Sequence, residues 1–135
     1  MSTLGLRWLE RQRYVATDSW GNEVAVDGRL DSLTGAKPSD LLPIALAACV
    51  AYTLVDVLSK RRQRLDSLDA TIDVEQDPEP PWKFRRIDIR FVLTGDIDEA
   101  KASKTLQMAH EKYCSVSASL DPGVKTSYSV EVRAR

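Results

Sequence analysis

The chain has 135 residues, enough for one domain with a modest core. Its hydrophobic and charged fractions, 43% and 29%, are those of an ordinary globular protein, and a net charge of −1 gives no electrostatic case for a nucleic-acid partner. Two cysteines and one histidine cannot make an ordinary four-ligand zinc site without carboxylates, and the sequence holds no Gly-rich phosphate loop, no Gly-x-Ser-x-Gly elbow and no His-Glu-x-x-His run.

Residues 1–10 carry no signal-peptide pattern, because Arg7 and Glu10 interrupt any apolar run. A cytoplasmic protein is expected, in which a redox-active cysteine pair is more plausible than a structural disulfide. Residues 4–10 and 13–17 predict two strands, and the cluster Asp18-Ser19-Trp20-Gly21-Asn22 predicts a turn. Residues 23–26 predict a third short strand, so the chain opens with an antiparallel meander. A loop over 28–37 follows.

The stretch Lys37 to Arg64 organises the rest. Ser39 or Asp40 can cap a helix start, and Pro43 falls in the first turn, where a missing N–H does little harm. No charged side chain occurs between Leu41 and Val55; Asp56, then Lys60, Arg61, Arg62 and Arg64, close the run. These features predict a helix over about 39–63, roughly 36 Å long. Its apolar residues go most of the way round, which is the mark of a buried or a membrane helix. The uncharged run is shorter than the ~20 residues a bilayer requires, so burial is the reading.

After the helix, residues 68–76 alternate with period two, and 77–81 hold three prolines that cannot continue a strand. Residues 84–94 alternate again, which predicts a hairpin with antiparallel pairing. Asp96 or Asp98 can cap a second helix over about 98–113, on which Ala102, Leu106, Ala109 and Tyr113 recur at helical spacing. Residues 115–120 read as a turn, and 124–132 as a last strand. The fold class is α+β, read as a single domain over 1–135. Six strands and one amphipathic helix scarcely cover a helix that is apolar all round, so an obligate homodimer is expected, with the two long helices near its centre.

Cys49 lies near the middle of the long helix and Cys114 at the end of the second. Both can be inert, since free cysteine packs as a small hydrophobe. If they react together, the roles follow from electrostatics. A helix C-terminus disfavours an anion, so Cys114 is the poorer nucleophile and the candidate resolving thiol. Cys49 needs a cation to become a thiolate, and the helix's own cations begin about 16 Å away at Lys60. Arg11, Arg13 and Arg29 are the candidates from another element; each is equally readable as a solvated surface charge. Asp40 can orient such an arginine or cap the helix. His110 shares a helix face with Cys114, but a helix-end pair is poor geometry for a Cys–His nucleophile.

Pro38-Ser39-Asp40-Leu41-Leu42 followed by Ala45-Leu46-Ala47-Ala48-Cys49 resembles the Pro-x-Glu-Leu-Leu…Ala-Ala-Cys segment of the OsmC/Ohr family, the osmotically induced and organic hydroperoxide resistance proteins. Glu111-Lys112-Tyr113-Cys114-Ser115-Val116 is similar to that family's Lys-Tyr-Cys-Pro-Val segment. The resemblance implies an intertwined α+β homodimer with long central helices wrapped by sheets from both chains. It implies a thiol peroxidase that reduces organic hydroperoxides, with Cys49 as the peroxidatic thiol, Cys114 as the resolving one, and a dithiol reductant of dihydrolipoyl type. It implies no metal, no organic cofactor and no membrane partner. Ser39 stands where the peroxidase branch has the glutamate that pairs with an activating arginine, and Ser115 where the family has proline. Glu10-Arg11-Gln12-Arg13 stands near the place of the arginine loop, which makes Arg13, with Asp40, the expected activating pair. The lost glutamate supports an alternative, a non-catalytic dimer of the short branch that binds an apolar small molecule.

Overall fold

In the computed structural model, which describes residues 1–135, the chain forms two units, Met1–Leu42 and Pro43–Arg135. In the first unit, β1 (Gly5–Glu10), β2 (Arg13–Thr17) and β3 (Glu23–Asp27) form an antiparallel meander in that order. Arg11 makes the β1–β2 turn with a positive φ of 46°, and its carbonyl accepts the Trp8 indole N–H at 2.8 Å. The Asp18 carboxylate gathers the next turn by accepting the N–H groups of Trp20 and Asn22. These are the strands and turns expected from the sequence, each within about a residue or two.

The loop after β3 is organised by Asp27, which is only 1% exposed. Its carboxylate accepts the Arg29 guanidinium at 2.8 Å and the hydroxyls of Ser32 and Thr34 at 2.6 Å each, and the Arg29 backbone N–H also donates to it. The Arg29 hydrogen bond first, and the two hydroxyls next, hold this carboxyl far below the usual carboxylate range. The folded state therefore keeps Asp27 ionised, and it contributes stability above the unfolded carboxyl's pKa of about 4 that is lost as the pH falls below it. Asp27→Asn is accordingly expected to lower Tm at neutral pH, with the gap to the wild type closing as the pH is taken below about 4; a thermal melt series against pH reads this directly.

Pro38–Asp40 forms a single 3₁₀ turn that runs into α1 (Leu41–Lys60). No side chain caps that turn, so the cap expected from Ser39 or Asp40 is not made; the fixed φ of Pro38 starts it instead. The helix ends three residues before the expected 63. Arg62 takes a left-handed φ of 57°, and the Gln63 N–H reaches back to the Leu58 carbonyl while the Arg62 N–H reaches that of Ser59. This is a Schellman termination made without glycine.

The second unit continues with β4 (Arg64–Gln76) and β5 (Phe84–Asp96), the antiparallel hairpin that the alternation predicts. Asp98 caps α2 (Glu99–Lys112) by accepting the Lys101 N–H at 3.1 Å. A short α3 (Ser115–Ser119) replaces the expected turn, and β6 (Lys125–Arg133) pairs beside β5. That last pairing is parallel, which corrects the expectation of antiparallel pairing throughout. The reason is the crossover: a parallel neighbour needs a dozen or more residues of connection, and α2 and α3 supply them.

Ile87, Ile89, Phe91 and Leu93 point from one face of β5 into a single core. Leu46, Val50, Leu54 and Leu58 of α1 and Ala102, Leu106 and Ala109 of α2 fill it. By length and composition α1 could cross a bilayer, but this stripe places it as the core helix of its unit. The opposite stripe, Ile44, Ala48, Tyr52 and Val55, is apolar and open in the single chain. The helix is thus apolar on both sides and covered on one.

Candidate functional site

Cys49 sits in the third turn of α1, on the flank between its buried and its open stripe, and is half-buried. Cys114 lies two residues beyond the end of α2, directly after that helix's C-cap Tyr113, and is buried against the core. It is also the N-cap of α3, where its sulfur accepts the Ser117 N–H at 3.3 Å. Both thiols are free, and Cys49 packs against the core cluster that includes Cys114.

The two sulfurs titrate in opposite directions. Burial works to raise the Cys49 thiol, but its neighbours Cys114, Val116 and Ser115 outweigh it and bring the thiol below its ordinary value. For Cys114, burial first and the neighbouring Cys49 sulfur next push the thiol up. The surroundings therefore favour the anion more at Cys49 than at Cys114.

Of the residues expected around Cys49, Arg13 donates to Glu10 at 2.8 Å, Arg29 is paired with Asp27, and Arg11 forms a turn; these three and Asp40, in the 3₁₀ turn, belong to the first unit. His110 stacks face to face on Tyr128, ring centroids 4.1 Å apart at 10°, and burial lowers its pKa. It is a packing residue. The sequence reading missed Ser115 and Val116. The available signal was Ser115 itself, a residue with both an N–H and a hydroxyl directly after a cysteine.

Cys49 opens onto a cleft of about 600 Å³, within the range that holds a small organic molecule. Tyr52, Val57, Met108 and Tyr113 make its lining largely apolar. Asp56, about 10 Å further along α1 than Cys49, and Arg61 also line it. Asp56 is already paired with Lys60 at 3.0 Å. The chain therefore offers a thiol at an apolar cleft and a second, buried thiol in the core against which the first is packed.

A family model described as OsmC-like protein matches residues 12–129. The protein YhfA of Escherichia coli strain K12 is 28% identical over 130 residues, covering 96% of each chain. Organic hydroperoxide resistance protein-like 1 of Staphylococcus saprophyticus is 26% identical over 126 residues, covering 90% of this chain and 89% of that protein. Among solved structures, that of a hypothetical protein from Aquifex aeolicus VF5 superposes with a TM-score of 0.87 at 22% identity, over 100% of this chain and 98% of the other. This last likeness is one of fold.

Proposed function

The chain belongs to the OsmC-like family, and from that premise we propose that it is a thiol-dependent peroxidase reducing organic hydroperoxides, residues 1–135 acting as one OsmC-like domain in a homodimer. The observation that carries the reading is the pair itself: Cys49 at the edge of an apolar cleft, packed against the core that holds Cys114, with the Cys49 thiol shifted down and the Cys114 thiol shifted up. Similarity to a protein named for organic hydroperoxide resistance supports the choice of substrate class.

The Cys49 thiolate attacks one oxygen of the peroxide bond. The sulfur's electron pair forms the S–O bond, the O–O bond breaks, and the departing alkoxide takes a proton and leaves as the alcohol. Cys49 is then a sulfenic acid. The Cys114 thiol condenses with it, a disulfide forms and water leaves. A dithiol reductant, for which a lipoyl-type group is the family precedent, exchanges with the disulfide and restores both thiols. No step calls for a metal or an organic cofactor. Tyr52, Val57, Met108 and Tyr113 serve to receive the apolar part of the hydroperoxide and to keep water from the sulfenic acid.

The test is a free-thiol count by mass spectrometry before and after one equivalent of cumene hydroperoxide, on reduced wild type and on Cys49→Ser. Linked Cys49 and Cys114 peptides in the wild type, absent from the variant, are expected. Two untouched thiols in the wild type would sink the peroxidase reading and leave the non-catalytic one, in which the same cleft holds an apolar ligand.

A further inference from the structure

The apolar cleft beside Cys49 opens into a polar one. Cys49, Thr53, Val57 and Arg61 recur every fourth residue and line the apolar cleft as one stripe, the Arg61 N–H continuing the helical turn of α1 to the Val57 carbonyl at 3.0 Å. Met108 lines it from α2. Arg61 and Met108 also line a second cleft of about 250 Å³, so the two spaces adjoin. Lys104, Gln107, Glu111 and Lys112 of α2 border this second cleft. Lys104, Met108 and Lys112 again lie four residues apart, on one stripe of their helix. The Asp98 N–H donates to the Gln63 side chain at 2.8 Å, which ties the start of α2 to the chain just after α1.

None of the chain's ion pairs uses Arg61, Lys104 or Lys112. All three residues are exposed. Glu111 is the carboxylate of this cleft, and it accepts the Gln107 amide at 3.3 Å. Asp56, in the apolar cleft, is paired with Lys60. Lys112 suits the negative end of the α2 dipole, but Lys104 lies mid-helix, and the dipole does not account for it. Three cations against one carboxylate leave a positive field, which a cleft between low-dielectric walls focuses on an anion. We propose that the joined clefts bind a single-chain amphiphile with a dianionic headgroup, of the alkyl phosphate class. The chain lies along Cys49, Val57 and Met108, and the head among Arg61, Lys104 and Lys112. Arg61 is about 18 Å of helix rise from Cys49, which an extended dodecyl chain and its headgroup span. A phosphate monoester carries a charge of about −1.5 to −2 at neutral pH and matches the excess of cations better than a carboxylate does. Arg61 meets it with a planar fork and the lysines meet it as point charges. This ligand class rests on the reading of the apolar cleft as the substrate site, and it holds whether the ligand is oxidised or only held.

Isothermal titration calorimetry on the reduced full chain, in low salt and below the micelle concentration of each probe, compares dodecyl phosphate, dodecanoate and dodecyltrimethylammonium. Dodecyl phosphate is expected to bind about tenfold tighter than dodecanoate, with dodecyltrimethylammonium the weakest. Arg61→Gln, Lys104→Gln and Lys112→Gln should each weaken dodecyl phosphate by about threefold and the triple variant by about thirtyfold. Lys125→Gln, on β6 and lining neither cleft, should bind as the wild type does. Saturating dodecyl phosphate should slow the alkylation of Cys49 by iodoacetamide, read by peptide mapping, and inorganic phosphate should not. Dodecyl phosphate no tighter than dodecanoate, or a triple variant that binds like the wild type, would overturn the proposal. So would tight binding that leaves Cys49 alkylation unchanged, since the chain would then lie elsewhere. If cumene hydroperoxide leaves both thiols untouched while dodecyl phosphate binds as expected, the peroxidase reading falls and the ligand class stands. If the Cys49–Cys114 disulfide forms while dodecyl phosphate does not bind, the peroxidase reading stands and the amphiphile site falls.

Discussion

Cys114→Ser is expected to reduce one equivalent of organic hydroperoxide and then stop, with Cys49 one oxygen heavier. Cys49→Ser is expected to reduce none, a loss on the order of 10³-fold or more, as for other covalent nucleophiles. The asymmetry follows from the two environments. Cys49 is the sulfur whose pKa its surroundings bring down, and it lines the cleft. Cys114 is buried, only 4% exposed, so it cannot meet a bulky hydroperoxide itself but can meet an oxidised Cys49. Serine at 114 keeps a hydroxyl that caps α3, so the local fold and the first turnover survive. What it lacks is a thiol to condense with the sulfenic acid. Rapid mixing followed by intact mass reads both variants. Sustained turnover by Cys114→Ser with a dithiol would remove the resolving role from Cys114. Turnover by Cys49→Ser would remove the mechanism.

Why the long elements were legible and the short ones were not has a physical explanation. Periodicity marks an element when one face is buried over several turns, and α1, the β4–β5 hairpin and α2 all satisfy that. The five residues of α3 span little more than one turn, too short for any period to register. The parallel β5–β6 pairing depends on where a crossover delivers the chain, which no local pattern carries. The neighbours of Cys49 are a harder case still, because which turn of the chain comes to lie beside a thiol is set by the tertiary fold and by no local pattern. Looking for a cation beside a thiol is sound electrostatics, but spacing along one sequence does not say which arginine reaches it.

Ile44→Asp is expected to dissociate the proposed homodimer. The open stripe of α1 motivates this: Ile44, Tyr52 and Val55 are 47%, 75% and 44% exposed in the single chain, at helical spacing, with Ala48 between them. A contiguous apolar helix face of this kind has no reason to stay in water when a second copy offers the same face. In the first unit, every residue of β1 is exposed, with Leu6 and Trp8 among them, and an apolar edge strand left open invites pairing. In a twofold interface each substitution acts twice. Burying one such side chain contributes about 1.5–3 kcal/mol, so removing it from both copies costs about 3–6 kcal/mol even before the new carboxylates are counted. That corresponds to a rise of roughly 10²–10⁴-fold in the dimer dissociation constant. Sedimentation velocity over a concentration series measures it, with Ser59→Asp as a control at the polar end of the same helix. A wild-type chain that sediments as a monomer at micromolar concentration would refute the dimer. A dimer indifferent to Ile44→Asp, Val55→Asp and Tyr52→Asp would place the interface elsewhere, and the open stripe of α1 would then need another occupant.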